Sequence, residues 1–195
     1  MTDNTKTVKI TKPKTPFLAT KDITIMAMMV AFIAVCSQIA IPMTVPFTLQ
    51  TFAVFITAYL LGTKKGTITV ISYILLGIVG CPVFAGFTGG AGAIVGSTGG
   101  YIIGFIFTSL IVGVITKNVK FKNDIANIVV AVIAMFVGDV ACFVIGTAQF
   151  MMVTKMSLAI SLSYCVIPFI IPDLAKMIVA AIFVNRVKKY ARVFD

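Results

Sequence analysis

Histidine, tryptophan and glutamate are absent from this 195-residue chain, and all six acidic residues are aspartates. With no histidine, and with acids as dispersed as Asp3, Asp22, Asp124, Asp139, Asp173 and Asp195, a zinc or di-iron centre has almost no ligand set. A nucleophile activated by a histidine base is excluded, and nothing else resembles a nucleophile–base–orienter arrangement. There is no Walker phosphate loop, so ATP hydrolysis by that route is excluded too. Charge itself is scarce: 11% of residues are charged, against about 25% in an average soluble domain. The four cysteines, Cys36, Cys81, Cys142 and Cys165, lie in or beside apolar runs without metal-type spacing. They read as small buried hydrophobes.

What remains is apolar. Hydrophobic residues make up 59% of the chain, and the mean hydropathy is +1.10. This is the composition of an all-α integral membrane protein. A net charge of +10 could suggest nucleic acid, but the lysines lie between apolar runs rather than on one basic face, so they read as topology signals. The polar opening "MTDNTKTVKITKPKTPFLATKD" has no small-residue cleavage pattern, so no removed signal peptide is expected.

A hydrocarbon core of about 30 Å needs about twenty helical residues. Full-length candidates are Ile23–Ile41, Gly99–Thr116 and Ile125–Thr147, followed by a stretch from Ser157 to Val184 interrupted by Pro168 and Pro172. Two shorter runs, Thr51–Gly62 and Gly66–Val79, flank "TKKG" and give only roughly 18 and 21 Å of helix at 1.5 Å per residue. That makes six segments. Every basic residue of the 16 except Lys155 and Lys176 lies before the first segment, in alternate connections, or after the sixth. The positive-inside rule then puts both termini in the cytoplasm. The expected organisation is a cytoplasmic segment over 1–22, a six-helix membrane domain over 23–187 and a cytoplasmic tail over 188–195. The short helices beside long uncharged outer loops suggest a pocket open on the outer side, because irregular backbone at membrane depth must be buried or line a cavity.

Two features mark that pocket. The outer connection from Cys81 to Gly100 holds seven glycines, among them Gly86, Gly89 and Gly90, and can bring its backbone close to a ligand. Its "GAGAIVG" has the wrong spacing for a dinucleotide fingerprint, and a flexible loop packed on helix ends is the plain alternative. The second feature is "PDLAK". Pro172 suits the first turn of a helix, Asp173 would then sit in that turn, favourable to its dipole, and Lys176 follows on the same face. Counting back from Arg186 puts the pair roughly 20 Å up the helix, in the outer half of the membrane. Asp139 should lie above the midplane as well, with its role open. Intramembrane charges are costly and indicate a functional site, although a buried ion pair that merely ties two helices is the competing reading.

Three stretches, "TVPFTLQTFAV", "LLGIVGCPVFAGFTGGAGAIVGSTGGYIIGF" and "PFIIPDLAK", resemble the BioY family, the biotin-binding S components of energy-coupling factor (ECF) vitamin transporters. The resemblance runs from about Ile23 to Val187 with order and spacing kept. It implies six helices in a prokaryotic cell membrane, biotin held under the outer loops as transported ligand, and no cofactor. It also implies a complex with a transmembrane coupling subunit (the T component) and two ATPases. Asp173 and Lys176 match the family's Asp-x-x-Lys contact with biotin. Phe84–Gly92, with Gly86, Gly89 and Gly90, matches the loop that closes over the ligand, and Gln50 matches the glutamine after the first outer loop. Tyr164 and Asp139 complete the expected substrate-binding set, although Asp139 is not carried over from the family. Ala27, Ala31 and Ala34 share one face of the first segment. Packing within the chain would explain them, but the resemblance implies contact with the coupling subunit. A stand-alone secondary carrier is the alternative function; it should show repeated halves with broken helices, and there is one broken helix and no convincing repeat. An intramembrane enzyme lacks its catalytic inventory.

Overall fold

The computed structural model describes residues 19–119 and 121–190. The lysines before Lys21, together with Lys120, Arg192, Asp3 and Asp195, lie outside them. The chain is almost entirely helical: α1 (Thr20–Gln38), α2 (Gln50–Ile78), α3 (Ala91–Val95), α4 (Gly99–Asn118), α5 (Asp124–Thr154), α6 (Leu158–Cys165) and α7 (Ile167–Tyr190). A two-stranded antiparallel ribbon, β1 (Ala40–Ile41) and β2 (Phe47–Thr48), joins α1 to α2 with Ala40 opposite Thr48. By length and hydropathy, four stretches could cross a membrane: Thr20–Gln38, Gly99–Asn118, Asp124–Thr154 and Leu158–Tyr190.

Helix α2 is a hairpin. Gly62 takes φ 72° and ψ −172°, a conformation open to glycine and strained for other residues, and the chain reverses there. Gln50 at one end therefore meets Tyr73 of the returning arm, with Nε2 donating to the phenol oxygen at 2.9 Å. The two arms, 50–61 and 63–78, take the place of the expected runs Thr51–Gly62 and Gly66–Val79, but Thr63, Lys64 and Lys65 are helical and belong to the second arm rather than to a connection. Both arms are heavily buried, with Ala53, Val54, Ala58, Thr57, Thr69, Val70 and Tyr73 all fully enclosed.

Behind the hairpin, α4 and α5 approach closely through small residues. A Cβ on Gly104 would stand 2.7 Å from the Cys142 sulfur, and one on Gly146 would enter the Tyr101 ring. Lipid offers no hydrophobic drive between helices, so contact of this closeness must come from packing. Polar contacts gather the opposite ends of several helices. Lys65 Nζ lies 2.6 Å from Asp22, Lys189 Nζ lies 3.0 Å from Asp124, and Lys188 Nζ donates to the Tyr59 carbonyl. The start of α1, the α2 turn, the start of α5 and the end of α7 thus lie at one end of the molecule.

Several expectations need correction. Segment one stops at Gln38, not Ile41, because Ala40 and Ile41 enter the ribbon. Segment five runs on to Thr154 and ends where Lys155 adopts φ 59°, its N–H bonded to the Met151 carbonyl. The break in the last stretch is at Val166, and α7 begins at Ile167, so Pro168 occupies the first turn, where the missing N–H is no loss. Pro172 lies inside the helix and Asp173 is beyond the first turn, so the dipole argument for Asp173 does not hold. Cys36, Cys142 and Cys165 are buried thiols, but Cys81 is exposed in the glycine-rich loop after α2.

Candidate functional site

At the end of the molecule opposite the lysine cluster is a cavity of about 230 Å³. The ribbon, the start of α2, the glycine loop, α4, α5, α6 and α7 all contribute to its wall. The sequence dictates much of this convergence. Helix α5 buries Met135, Gly138, Asp139, Cys142 and Gly146, a single face at helical spacing, so Asp139 points inward with the small residues. Helix α7 buries Phe169, Asp173, Lys176, Met177 and Ala180 in the same way.

The polar centre is the α7 pair. Asp173 is 2% exposed and Lys176 is 8% exposed, with Nζ 2.8 Å from Asp173 Oδ1. The ammonium also donates to the Thr48 carbonyl at 2.7 Å and to Thr51 Oγ1 at 3.1 Å, and it sits 3.9 Å over the Phe47 ring. All three ammonium protons are therefore placed, two of them on neutral oxygens that a ligand oxygen can replace. Thr51 Oγ1 also lies 3.4 Å from Asp173 Oδ1. Among the described residues, hydrogen bonds reach only Oδ1 of Asp173 and none reaches the carboxylate of Asp139. Asp173 Oδ2 and Asp139, both on the cavity wall, remain as acceptors. Gln50 spends its amide N–H on Tyr73 and keeps its carbonyl oxygen. The rest of the wall is mostly apolar, with Phe84, Phe105, Phe143 and Phe169 beside the hydroxyls of Thr88, Thr98 and Tyr101; behind it, Phe47 packs on Phe169 at a centroid distance of 5.9 Å.

The glycine loop covers this space. Phe84, Ala85 and Thr88 reach the cavity, whereas Gly86, Gly89 and Gly90 do not line it and instead set the loop's path. Gly90 holds φ 89° and donates its N–H to Gly77 O at 2.7 Å, and a Cβ on Gly89 would collide with the Cys81 carbonyl at 2.4 Å. Gln38, which the sequence reading passed over, fastens the loop: Nε2 donates to Phe84 O at 3.1 Å, and Oε1 accepts Phe87 N–H at 2.8 Å. Ser37 Oγ and Tyr73 OH both donate to Val83 O, at 2.6 and 2.8 Å. Beyond the loop, Gln149 Nε2 holds the carbonyls of Ile94 and Gly96. A polar glutamine or serine in an apolar helix end is the one sequence signal that could have found these fasteners.

Phe84 itself is seated against Tyr73, edge-on at 5.6 Å, and directly over Gly77, where a Cβ would lie 2.0 Å from the ring. Gly77→Ala is therefore expected to push Phe84 out and destabilise the protein by about 1–3 kcal/mol, the usual range for an overpacked site. An unchanged thermal melting transition would show that the ring can seat elsewhere.

The structure brings Asp139, Asp173, Lys176, Gln50 and Phe84 to one cavity, but not Tyr164. In α6 the buried residues are Ser161 and Cys165, one turn apart, and Tyr164 is rotated away from that face, with 49% exposed. Cys165 takes the place on the wall. Thr48, Thr51 and Phe47 surround the ammonium and were not anticipated. Two carboxylates, an ammonium and one amide around a largely apolar space equip the cavity to hold a small ligand with both donors and acceptors.

The BioY family model matches residues 5–193 of the chain. The chain belongs to the BioY family. It is 41% identical over 160 residues to the biotin transporter BioY of Thermotoga maritima, covering 82% of this chain and 90% of that one. It is 34% identical over 175 residues to the probable biotin transporter BioY of Pyrococcus horikoshii, covering 86% and 96%. Its fold is similar to a crystal structure of the S component for biotin from an ECF-type ABC transporter, with a TM-score of 0.79 and 30% identity over 88% of this chain and 92% of that one.

Proposed function

We propose that this chain is the biotin-binding, substrate-specificity subunit of an ATP-driven ECF importer. The observation that carries it is the buried Asp173–Lys176 pair on the wall of a loop-covered apolar cavity, in a chain whose BioY relatives are named as biotin transporters. Biotin presents two ureido N–H donors, a carbonyl acceptor, an apolar bicycle and a carboxylate. Against these the cavity sets acceptors at Asp173, Asp139 and Gln50, a donor at Lys176, and Phe84, Phe105, Phe143 and Phe169 for the rings. The chain captures biotin and leaves ATP to its partners: a T component and two ATPase subunits supply the energy. Isothermal calorimetry of the purified chain is expected to show saturable biotin binding with no nucleotide present. Absence of any heat of binding from folded protein would overturn the reading.

The membrane arrangement belongs to the same proposal: six crossings counting both arms of α2, both termini cytoplasmic, in the cell membrane of a prokaryote. The gathering of the α2 turn, the start of α5 and the end of α7 at the lysine-rich end supports it. Reporter fusions after Thr63 are expected to read as cytoplasmic, and fusions near Thr44, Gly92 and Lys155 as external. A cytoplasmic signal at Gly92 contradicts the six-crossing arrangement.

A further inference from the structure

The lysine-rich end contains a second, larger cavity of about 600 Å³. It opens between the α2 turn, the end of α4, the start of α5 and the end of α7. Lys64, Lys65, Lys117, Lys188 and Lys189 line it, with Asp124 as the one acidic residue among the lining. Topology alone would ask only that lysines lie on the cytoplasmic side of each connection. Here lysines from three separate elements converge on one concave volume, and packing fixes that convergence. Lys188 donates to the Tyr59 carbonyl and lies 4.0 Å over its ring. Lys189 is held by Asp124 at 3.0 Å. The wall after α4 is braced by Asn127, which accepts the Phe121 N–H and donates to its carbonyl, each at 2.8 Å. Leu60, Leu61, Val119, Phe121 and Val130 supply apolar lining, and Thr63, Thr116, Asn127 and Asn185 supply neutral polar groups.

We propose that this cavity binds a phosphate-bearing anion, and that its source is the headgroup of an anionic phospholipid. Like charges crowded around a concavity repel, and a phosphodiester relieves that repulsion with oxygens that accept ammonium protons. Basic pockets between transmembrane helices on the cytoplasmic side suit such headgroups. The apolar residues in the lining favour the lipid over free phosphate, because glycerol and acyl carbons need such surface and an inorganic ion does not. Calling this end cytoplasmic rests on the orientation proposed above. The site itself is separate from the biotin cavity and can be tested without it.

The test is native mass spectrometry of the purified full chain in neutral detergent, given equal amounts of phosphatidylglycerol and phosphatidylcholine. Phosphatidylglycerol is expected to be retained at least about threefold over phosphatidylcholine, saturating at one adduct. The double variant Lys64→Gln/Lys117→Gln is expected to lose that preference. Arg186→Gln removes equal charge per residue at the same end but outside the cavity lining, and it is expected to keep the preference. An unchanged thermal melting transition and a single elution peak for all variants serve as the check on folding. Equal retention of both lipids overturns the proposal, as does an Arg186→Gln variant that loses as much as the lysine pair. Displacement of the lipid by millimolar inorganic phosphate overturns the lipid source.

Discussion

Lys176→Ala is expected to cut biotin affinity by roughly two to three orders of magnitude. Lys176 is the one cationic side chain on the cavity wall, and it holds Asp173, Thr48 and Thr51 together from the centre. Truncation removes the ligand's ammonium partner and leaves a 2%-exposed carboxylate with no counter-charge. Breaking a buried pair by removing one member costs about 3–5 kcal/mol, and about 1.4 kcal/mol is a factor of ten. Part of that cost falls on the empty protein, so the measurement is calorimetry on material that elutes as a single folded species. Asp173→Asn is expected to be milder than Asp173→Ala, since it keeps an acceptor oxygen. Folded Lys176→Ala protein with unaltered affinity would remove the α7 pair from the binding site.

The second large effect should separate binding from transport. Ala27 and Ala31 lie exposed on α1, one turn apart, with Met28 and Val35 beside them at 57% and 63% exposure. Ala34 is partly buried and packs toward the chain's own core. So the outward face of α1 consists of two small residues and neighbouring hydrophobes. Small residues let transmembrane helices come close, and contact there is made by packing. We propose that this face meets the T component. Ala27→Trp and Ala31→Trp are then expected to abolish ATP-dependent uptake and co-purification with the coupling subunits while leaving biotin affinity within about twofold, because neither residue approaches the cavity. Normal co-purification of both variants would place the partner elsewhere.

Much of this molecule was legible in the sequence because the membrane simplifies the reading. Apolar runs and interrupted charge locate the long helices, and one aspartate–lysine pair inside such a run is too costly to be incidental. The α2 turn was visible in "GTKKG", although only the backbone at Gly62 shows that the reversal is a single residue. What escaped has a common cause: it depends on which way a side chain points across a long sequence gap. Thr48 and Thr51 meet Lys176 from more than 120 residues away. Gln38 reaches the loop across 46 residues. Tyr164 and Cys165 are neighbours in sequence, yet α6 turns one outward and the other to the cavity. Pro172 looked like a helix start because the pattern could not tell which of two prolines, Pro168 or Pro172, the first turn would take.

The α2 hairpin also bears on how the protein is made. Neither arm is long enough to span the hydrocarbon alone, and the surfaces they bury face α1, α4 and α7 rather than lipid. Threonines in both arms bond carbonyls one turn back, but Gln50 and Tyr73 satisfy each other only once the arms are side by side. The two arms are therefore poor candidates for separate entry into the bilayer during synthesis. They would have to enter together, as one folded unit, and wait for α4 to emerge before their polar and small-residue faces find cover. The cavity wall that the α2 hairpin helps to build is complete only once α7, the last helix in the chain, brings Lys176 to Thr48.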